Sequence, residues 1–563
     1  MLLLLLVLKR YKQDQEIPVY GNKISPHQNP FESYDYYSLP FCRYNGTDKS
    51  SPQTLADAFL GNRYTRTAIS FQFLKPVVNN KVCKIELDEP IMNQLKNAIK
   101  KDYIYELYID KLPIWSFIGT LSRDNQTFIF TKQHFIVHYN ENRIISIDLS
   151  PEMPASLDRD KSISFTYTVE WRQTELVKKQ RYDKYNNAKS TGFSVRYISL
   201  VNVLIAVLLI VLLTIFIIMK SLGNDFMNIE KDLNTNGFEL DFRAERGWKM
   251  LHADVFRCPN RPIYLSTLIG FGAQAFFAFL LFIIGNFVFG NRLGKSAKLT
   301  LAFSSYAIAG FMGGYVGGGL FKRWGGTRWV YQVLIQTFSI PFAFAVAEVI
   351  LNTVALIYKS TQVLRVSSII VIVIVLALFV FPLTAAGGIV GRNWFIVGPP
   401  PTQVGVICRR IPETPLFLRI PSLCIIVGFI GSMSIFMELY YILSALLQYR
   451  FTYVWGFLFI VCMLLFIVIS CISIVTTYLR LVAENYQWQW TSFIAPFCVS
   501  GYCVLYCVYY FVTKTRMSGL IQALYYFIYT TILSCIIGII CGFVGFVASA
   551  IFVRKVYKNL KTD

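Results

Sequence analysis

Nine apolar stretches dominate the last two thirds of this 563-residue chain: 198–219, 264–288, 299–320, 332–357, 368–390, 422–447, 453–478, 493–513 and 522–551. Each is long enough to cross a hydrocarbon core, which takes about 17 to 25 residues. None holds a Lys, Arg, Asp or His, and together they hold two carboxylates, Glu348 and Glu438. Lipid offers no partner for backbone N–H and C=O groups, so such stretches must satisfy them internally as helices. Only 15 % of the residues are charged, against about a quarter in an ordinary soluble domain. A membrane α-helical bundle of nine transmembrane helices follows.

Residues 10–197 differ in kind. Polar and turn-forming sequence is interrupted by β-branched and aromatic runs at Tyr103–Ile109, Thr127–Thr131, Phe135–Tyr139, Ile144–Leu149 and Ile163–Trp171. Phe165, Tyr167 and Val169 alternate with Thr166, Thr168 and Glu170, the period of a half-buried strand. We read a β-rich, sandwich-like domain of ordinary single-domain size. Ahead of it, Leu2–Leu8 followed by Lys9 and Arg10 reads as a short leader, residues 1–9, without a basic n-region or an A-x-A cleavage site.

Orientation follows from Lys and Arg near the span ends, because positive residues there stay in the cytosol. With the N-terminal domain in the lumen, the segments 220–263, 321–331, 391–421, 479–492 and 552–563 are cytosolic and hold 19 Lys and Arg. The lumenal ones (289–298, 358–367, 448–452, 514–521) hold 8. The parts are then a lumenal domain 10–197, a first span 198–219, a cytosolic loop 220–263, the bundle 264–551 and a tail 552–563. Both N-x-S/T sequons, Asn45-Gly46-Thr47 and Asn125-Gln126-Thr127, fall in the predicted lumenal domain and are candidate glycosylation sites. So do two of the twelve cysteines, Cys42 and Cys83, which an oxidising lumen allows to pair. The other ten show no zinc-ligand spacing, and no metal is expected.

The net charge of +21 is not read as a nucleic-acid patch. Much of it flanks the spans, where it fixes topology and meets anionic headgroups of the bilayer. Loop 220–263 is itself balanced, seven basic against seven acidic residues, which suits a small ordered or protein-contacting element better than a polybasic lipid switch, with a solvated linker as the equal alternative.

Several membrane-enzyme chemistries fail by inventory. An aspartyl intramembrane protease needs two aspartates in its spans, and these spans have none. His27, His134, His138 and His252 all lie outside the spans, so a histidine-dependent acyltransferase, serine protease or zinc protease lacks its base or ligand there. There is no Walker P-loop, and Gly313–Gly319 imitates one only superficially, being inside a span. Gly310, Gly314 and Gly318 repeat at four-residue spacing and predict a smooth face for close helix packing. No catalytic residue and no cofactor is expected.

Glu348 and Glu438 occupy the same position in two equally long spans of the same direction, hence the same depth, a few ångströms to the lumenal side of the midplane. Carboxyls in hydrocarbon face a partner or a water-filled cavity. Three readings follow: a neutral acid bonded within the bundle, with Asn352 or Ser434 one turn away; a polar site for residues of a client's membrane helix; or ion or proton coupling.

Short motifs spread over most of the chain resemble the nonaspanins, the transmembrane-9 superfamily. They are Pro18-Val19-Tyr20-Gly21-Asn22-Lys23, Leu39-Pro40-Phe41-Cys42, Leu112 through Gly119, Asn224-Asp225-Phe226 and Gly247-Trp248-Lys249 through Arg257. Further along come Trp324 through Trp329, Pro382-Leu383-Thr384, Arg410-Ile411-Pro412-Glu413, Phe436-Met437-Glu438-Leu439 and Ala483 through Trp488. One departure is Trp488-Gln489-Trp490, where an unbroken tryptophan run is usual. The resemblance implies residence in Golgi and endosomal membranes and a role in sorting membrane proteins, including those with glycine-rich transmembrane segments. It also implies a C-terminal K-x-D/E signal for the COPI coat, matched by Lys561-Thr562-Asp563, so that Lys561 and Asp563 are candidate coat-binding residues. The expectation is therefore a sorting receptor or escort for transmembrane clients, with a secondary transporter or channel built on Glu348 and Glu438 as the alternative.

Overall fold

A computed structural model of the chain describes residues 10–27, 29, 31–44, 46, 53–157, 162–177, 180–182, 184, 193–235, 247–289, 293–447, 455–515, 517 and 519–558. The N-terminal part is a sandwich of two five-stranded sheets. In the first, β1 (Glu16–Pro26) carries β2 (Tyr34–Asp35) and β3 (Thr65–Gln72) along one edge, and β5 (Tyr103–Ile109) then β6 (Leu112–Phe117) on the other. In the second, β4 (Val77–Glu86) pairs β10 (Ser162–Gln173), which runs parallel to β8 (Thr127–Asn140); β8 also takes β9 (Arg143–Ser156) and β7 (Gly119–Leu121). Two short helices, α1 (Leu55–Phe59) and α2 (Glu89–Lys100), complete the domain.

Local chemistry explains the tight connections. Asp110 and Lys111 take φ of 47° and 66° between the closing pair Ile109 and Leu112, the twist that suits a two-residue hairpin. The sheets are joined by apolar side chains pointing inward. Phe71 of β3 and Phe135 of β8 are both 0 % exposed, with ring centroids 5.0 Å apart. Burying each such side chain contributes about 2–3 kcal/mol.

Among the described residues, nine helical runs are long and apolar enough to cross a membrane. The helices are α3 (Phe193–Thr235), α4 (Pro262–Phe289), α5 (Lys295–Arg323), α6 (Trp329–Ile357), α7 (Val366–Val375), α8 (Phe381–Asn393), α9 (Ile420–Leu447), α10 (Trp455–Val482), α11 (Trp488–Phe497), α12 (Val499–Lys514) and α13 (Leu520–Lys558). Two pairs share a span. A π turn at Leu376–Val380 joins α7 to α8 just before Pro382, whose missing N–H disturbs the ladder there. Helices α11 and α12 meet at Cys498, two residues past Pro496.

The helix ends depart from the expected boundaries. Helix α3 continues past 219 to Thr235, and the span expected at 493 begins at Trp488. Helix α13 runs to Lys558, so Arg554, Lys555 and Lys558 stand on a helix and not on a free tail. Hydropathy registers where lipid ends, whereas a helix with charged residues continues in water. Lys561 and Asp563 lie outside the described residues.

The sandwich rests on the bundle. Phe59 packs on Phe303 of α5 with centroids 5.2 Å apart, and Thr54 Oγ1 lies 3.1 Å from Ser296 Oγ. Ser33 meets the α6–α7 loop, where the Thr361 N–H donates to the Ser33 carbonyl at 2.9 Å and the two hydroxyls are 2.6 Å apart. Phe31 stacks against Tyr525 and Tyr529 of α13.

Candidate functional site

Helix α3 is among the least enclosed spans. Leu208, Leu209, Leu212, Leu213 and Phe216 are all more than half exposed, while Val207 and Thr214 face the bundle at 5 % and 8 %. Beside it, a narrow crevice opens between α3, α9 and α10, lined by Leu200, Val203, Ser434, Glu438, Tyr441 and Val461. Glu438 is 5 % exposed and supplies the carboxyl of an otherwise mainly apolar wall. Its placement follows from helix period: Ser434, Glu438 and Tyr441 recur at three- and four-residue intervals and share one face of α9.

Glu348 sits elsewhere. Its Oε1 lies 3.4 Å from the Tyr529 hydroxyl on α13, which is at the outer limit of a hydrogen bond. The carboxyls thus lie in the halves of α6 and α9 nearer the sandwich but face different helix interfaces. The partners expected one turn away act differently. Asn352 Oδ1 accepts from the Leu364 N–H at 3.0 Å, and the Ser434 hydroxyl donates to the Gly431 carbonyl at 2.7 Å.

The glycines of α5 lie against α8. A Cβ on Gly314 would come within 2.1 Å of the Thr384 carbonyl oxygen, one on Gly318 within 2.8 Å of the Gly388 oxygen, and one on Gly310 within 3.0 Å of Thr384 Oγ1. Gly313 and Gly317 face another way, toward Gln274, Gln332 and Gln336. Gln332 and Gln336 are 0 % exposed and share a 2.8 Å hydrogen bond from Gln332 Nε2 to Gln336 Oε1. Counting only charged residues in the spans passes over these amides. Their signal is polar side chains at i, i+4 in an apolar run.

In the sandwich, Cys42 and Cys83 form a disulfide with Cα atoms 5.9 Å apart. Asn125 is exposed in the turn between β7 and β8, at φ 63°, a conformation asparagine tolerates. Asn45 lies outside the described residues. Among the described residues no group of three or more His, Cys, Asp or Glu is placed to hold a metal.

The profile of the family described as Endomembrane protein 70 matches residues 33–520. Transmembrane 9 superfamily member 4 of Arabidopsis thaliana is 30 % identical over 571 residues, covering 98 % of this chain and 95 % of that protein. Member 1 of the same superfamily from Mus musculus is 30 % identical over 577 residues, covering 98 % and 94 %. The chain belongs to the transmembrane 9 superfamily. No solved structure matches it.

In this transmembrane 9 protein, sequence motifs far apart in the chain meet on the face away from the sandwich. Residues 247–261, part of the loop left open between an ordered or protein-contacting element and a solvated linker, are clasped by the Trp488-Gln489-Trp490 segment. Trp488 Nε1 donates to the Val255 carbonyl at 3.0 Å, Gln489 Nε2 to that of Arg257 at 3.1 Å, and Trp490 Nε1 to that of Asn260 at 2.7 Å. Gln489 therefore supplies an amide donor between the two indoles. Tyr557 Oη donates to the Trp248 carbonyl at 2.6 Å, tying the end of α13 to the same segment. Arg257 pairs with Asp254 and also donates to the Gly405 carbonyl at 2.8 Å; the Asp254 carboxylate holds its guanidinium above the usual arginine range. Arg409 pairs with Glu484 at 3.1 Å.

Proposed function

We propose that this protein is an endomembrane sorting receptor or escort that receives the membrane helix of a client at the crevice beside Glu438. The observation that carries this reading is a buried carboxyl in a crevice whose outer wall is a single span, α3, largely exposed to lipid. A client helix bearing a polar residue finds a hydrogen-bonding partner there that lipid does not supply. Membership of a superfamily described by endomembrane residence supports the same reading. In this account the sandwich faces the lumen, as the sequons and loop charges suggest. Lys561 and Asp563 are then cytosolic and offer themselves to the COPI coat for Golgi retention.

Photo-cross-linking tests it. A photoreactive residue at Val203 or Val461 is expected to capture client membrane segments, one at lipid-facing Leu212 to capture far fewer, and Glu438→Gln to weaken capture. Equal capture at all three positions, unaffected by Glu438→Gln, would refute the crevice.

A secondary transporter is the second reading, favoured by the similar depth of Glu348 and Glu438. Proton-dependent flux in reconstituted vesicles, lost when both become Gln, would select it over the escort. That the carboxyls face separate interfaces argues for two tasks and not one shared ion site.

A further inference from the structure

On the face away from the sandwich, two cations are held side by side without an acid. Arg323 ends α5, and Arg554 lies near the end of α13. Both donate to one oxygen, the Gly398 carbonyl in the segment after α8: Arg323 through Nη1, and Arg554 through Nη2 at 2.9 Å. Among the described residues neither forms an ion pair, and the pairs that do form on this face, Arg257 with Asp254 and Arg409 with Glu484, occupy other acids. A carbonyl dipole does not neutralise two full charges, so the repulsion between neighbouring guanidiniums is left standing.

The arrangement is also fixed in place. The Arg323 guanidinium lies over the Phe395 ring at 5.0 Å, and that ring packs on Tyr315 with centroids 5.4 Å apart. Tyr315 Oη donates to the Trp394 carbonyl at 3.2 Å and accepts from the Ile396 N–H at 3.0 Å, pinning the backbone on either side of Phe395. Each guanidinium has five N–H donors in a planar fork, and here one from each goes to Gly398.

Next to the pair the surface is apolar. Trp394 is 78 % exposed and Ile396 88 %, at the end of a membrane span. A tryptophan at a span end belongs at the boundary of headgroups and acyl chains, and that boundary sets the two arginines at the level of lipid phosphates.

We propose that Arg323 and Arg554 form a headgroup site for an anionic phospholipid bearing a phosphomonoester, such as a monophosphorylated inositol lipid, in the leaflet opposite the sandwich. A phosphomonoester carries a charge of about −1.5 to −2 at neutral pH, matching two guanidiniums, and accepts paired N–H donors from each fork. The exposed Trp394 and Ile396 favour a lipid over a free phosphate, because a soluble anion has no use for apolar side chains beside it.

The test measures binding of a fluorescent short-chain phosphatidylinositol monophosphate to the purified full-length chain, with short-chain phosphatidylcholine and inorganic phosphate as competitors. Saturable binding is expected, with neither competitor displacing the probe at equal concentration. Arg323→Gln combined with Arg554→Gln weakens binding about tenfold or more, the loss of at least one charge-assisted contact. Arg392→Gln, whose guanidinium lies 5.4 Å from the Trp329 ring, leaves it unchanged. Should the double variant fail to fold, Arg323→Lys with Arg554→Lys keeps both charges but loses the forks, and binding still weakens, by about threefold or more. Wild-type affinity in a folded double variant overturns the proposal. Equal displacement by inorganic phosphate overturns the lipid assignment.

Discussion

The Tyr529 hydroxyl lies 3.4 Å from Glu348 Oε1, and the Tyr529 ring stacks at 5.9 Å on Phe31 of the sandwich. One side chain therefore touches both an intramembrane carboxyl and the domain outside the membrane. The seat is completed by Ser33, which is bonded to Ser360 and Thr361 of the α6–α7 loop, and by Gln522, which donates to Glu32. Phe31→Ala is expected to loosen this seat by about 1–3 kcal/mol, from lost apolar burial and ring contact. Hydrogen exchange reads it at Thr361, whose N–H is bonded to the Ser33 carbonyl. Exchange there should accelerate while that of the Leu107 amide in β5 does not. Unaltered exchange at Thr361 would mean that Phe31 does not hold the domain.

Two glycine substitutions separate close packing from helix propensity. Gly314→Ala sets a Cβ 2.1 Å from a backbone oxygen of α8, which cannot rotate away. It should lower stability by about 1–3 kcal/mol, the range for overpacking. Gly501, in α12, has nothing within 4 Å of an added Cβ, so Gly501→Ala should leave stability unchanged or raise it by up to about 1 kcal/mol. Thermal unfolding in detergent orders the two variants, and the reverse order would contradict the α5–α8 contact.

Asn125 provides the test of orientation. With the sandwich in the lumen, its exposed turn is open to glycosylation. Asn125→Gln should then remove one increment of glycosidase-sensitive mass. A protein made in cells with active glycosylation yet lacking any glycan at Asn125 would count against the lumenal assignment.

The disulfide joins Cys42 to Cys83 across a sequence separation of 41. In the chain-entropy account, closing a loop of that length stabilises by about 4 kcal/mol. Cys42→Ser with Cys83→Ser should lower the unfolding midpoint of the sandwich. Alkylation of the native protein without reductant should leave both sulfurs unmodified. Ready alkylation of either would show the pair to be open.

If the tail binds COPI as proposed, Lys561→Ala shifts the protein away from Golgi membranes and abolishes recovery of coat subunits with it, while Lys558→Ala, on the last turn of α13, does neither. An unchanged distribution of Lys561→Ala would remove the tail from the retention mechanism.

The strands were partly legible. Tyr103–Ile109 forms β5 as the pattern predicts, while the runs Thr127–Thr131 and Phe135–Tyr139 belong to the single strand β8. β1 escapes detection because its buried residues include the polar Asn22 and Lys23. Asn22 Nδ2 donates to Glu106 Oε2 at 2.9 Å, and Lys23 Nζ to the Leu60 carbonyl at 2.8 Å, with burial pushing the Lys23 ammonium below the usual lysine range. Polar residues whose partners lie far along the chain look like surface until those partners are in place.

The number of spans, their approximate extent and the β character of the leading domain were determined by the sequence. Lipid forces each backbone polar group to bond within its own helix, and hydropathy records that local demand. Which surfaces meet was decided by tertiary structure. The facing of Glu348 toward Tyr529, the opening of Glu438 onto α3, the convergence of Arg323 and Arg554 on Gly398, and the clasp of Trp488 on residue 255 all join segments distant in sequence. Apolar periodicity shows which face of a helix is buried, but shape and polar complementarity across the whole bundle select its neighbour.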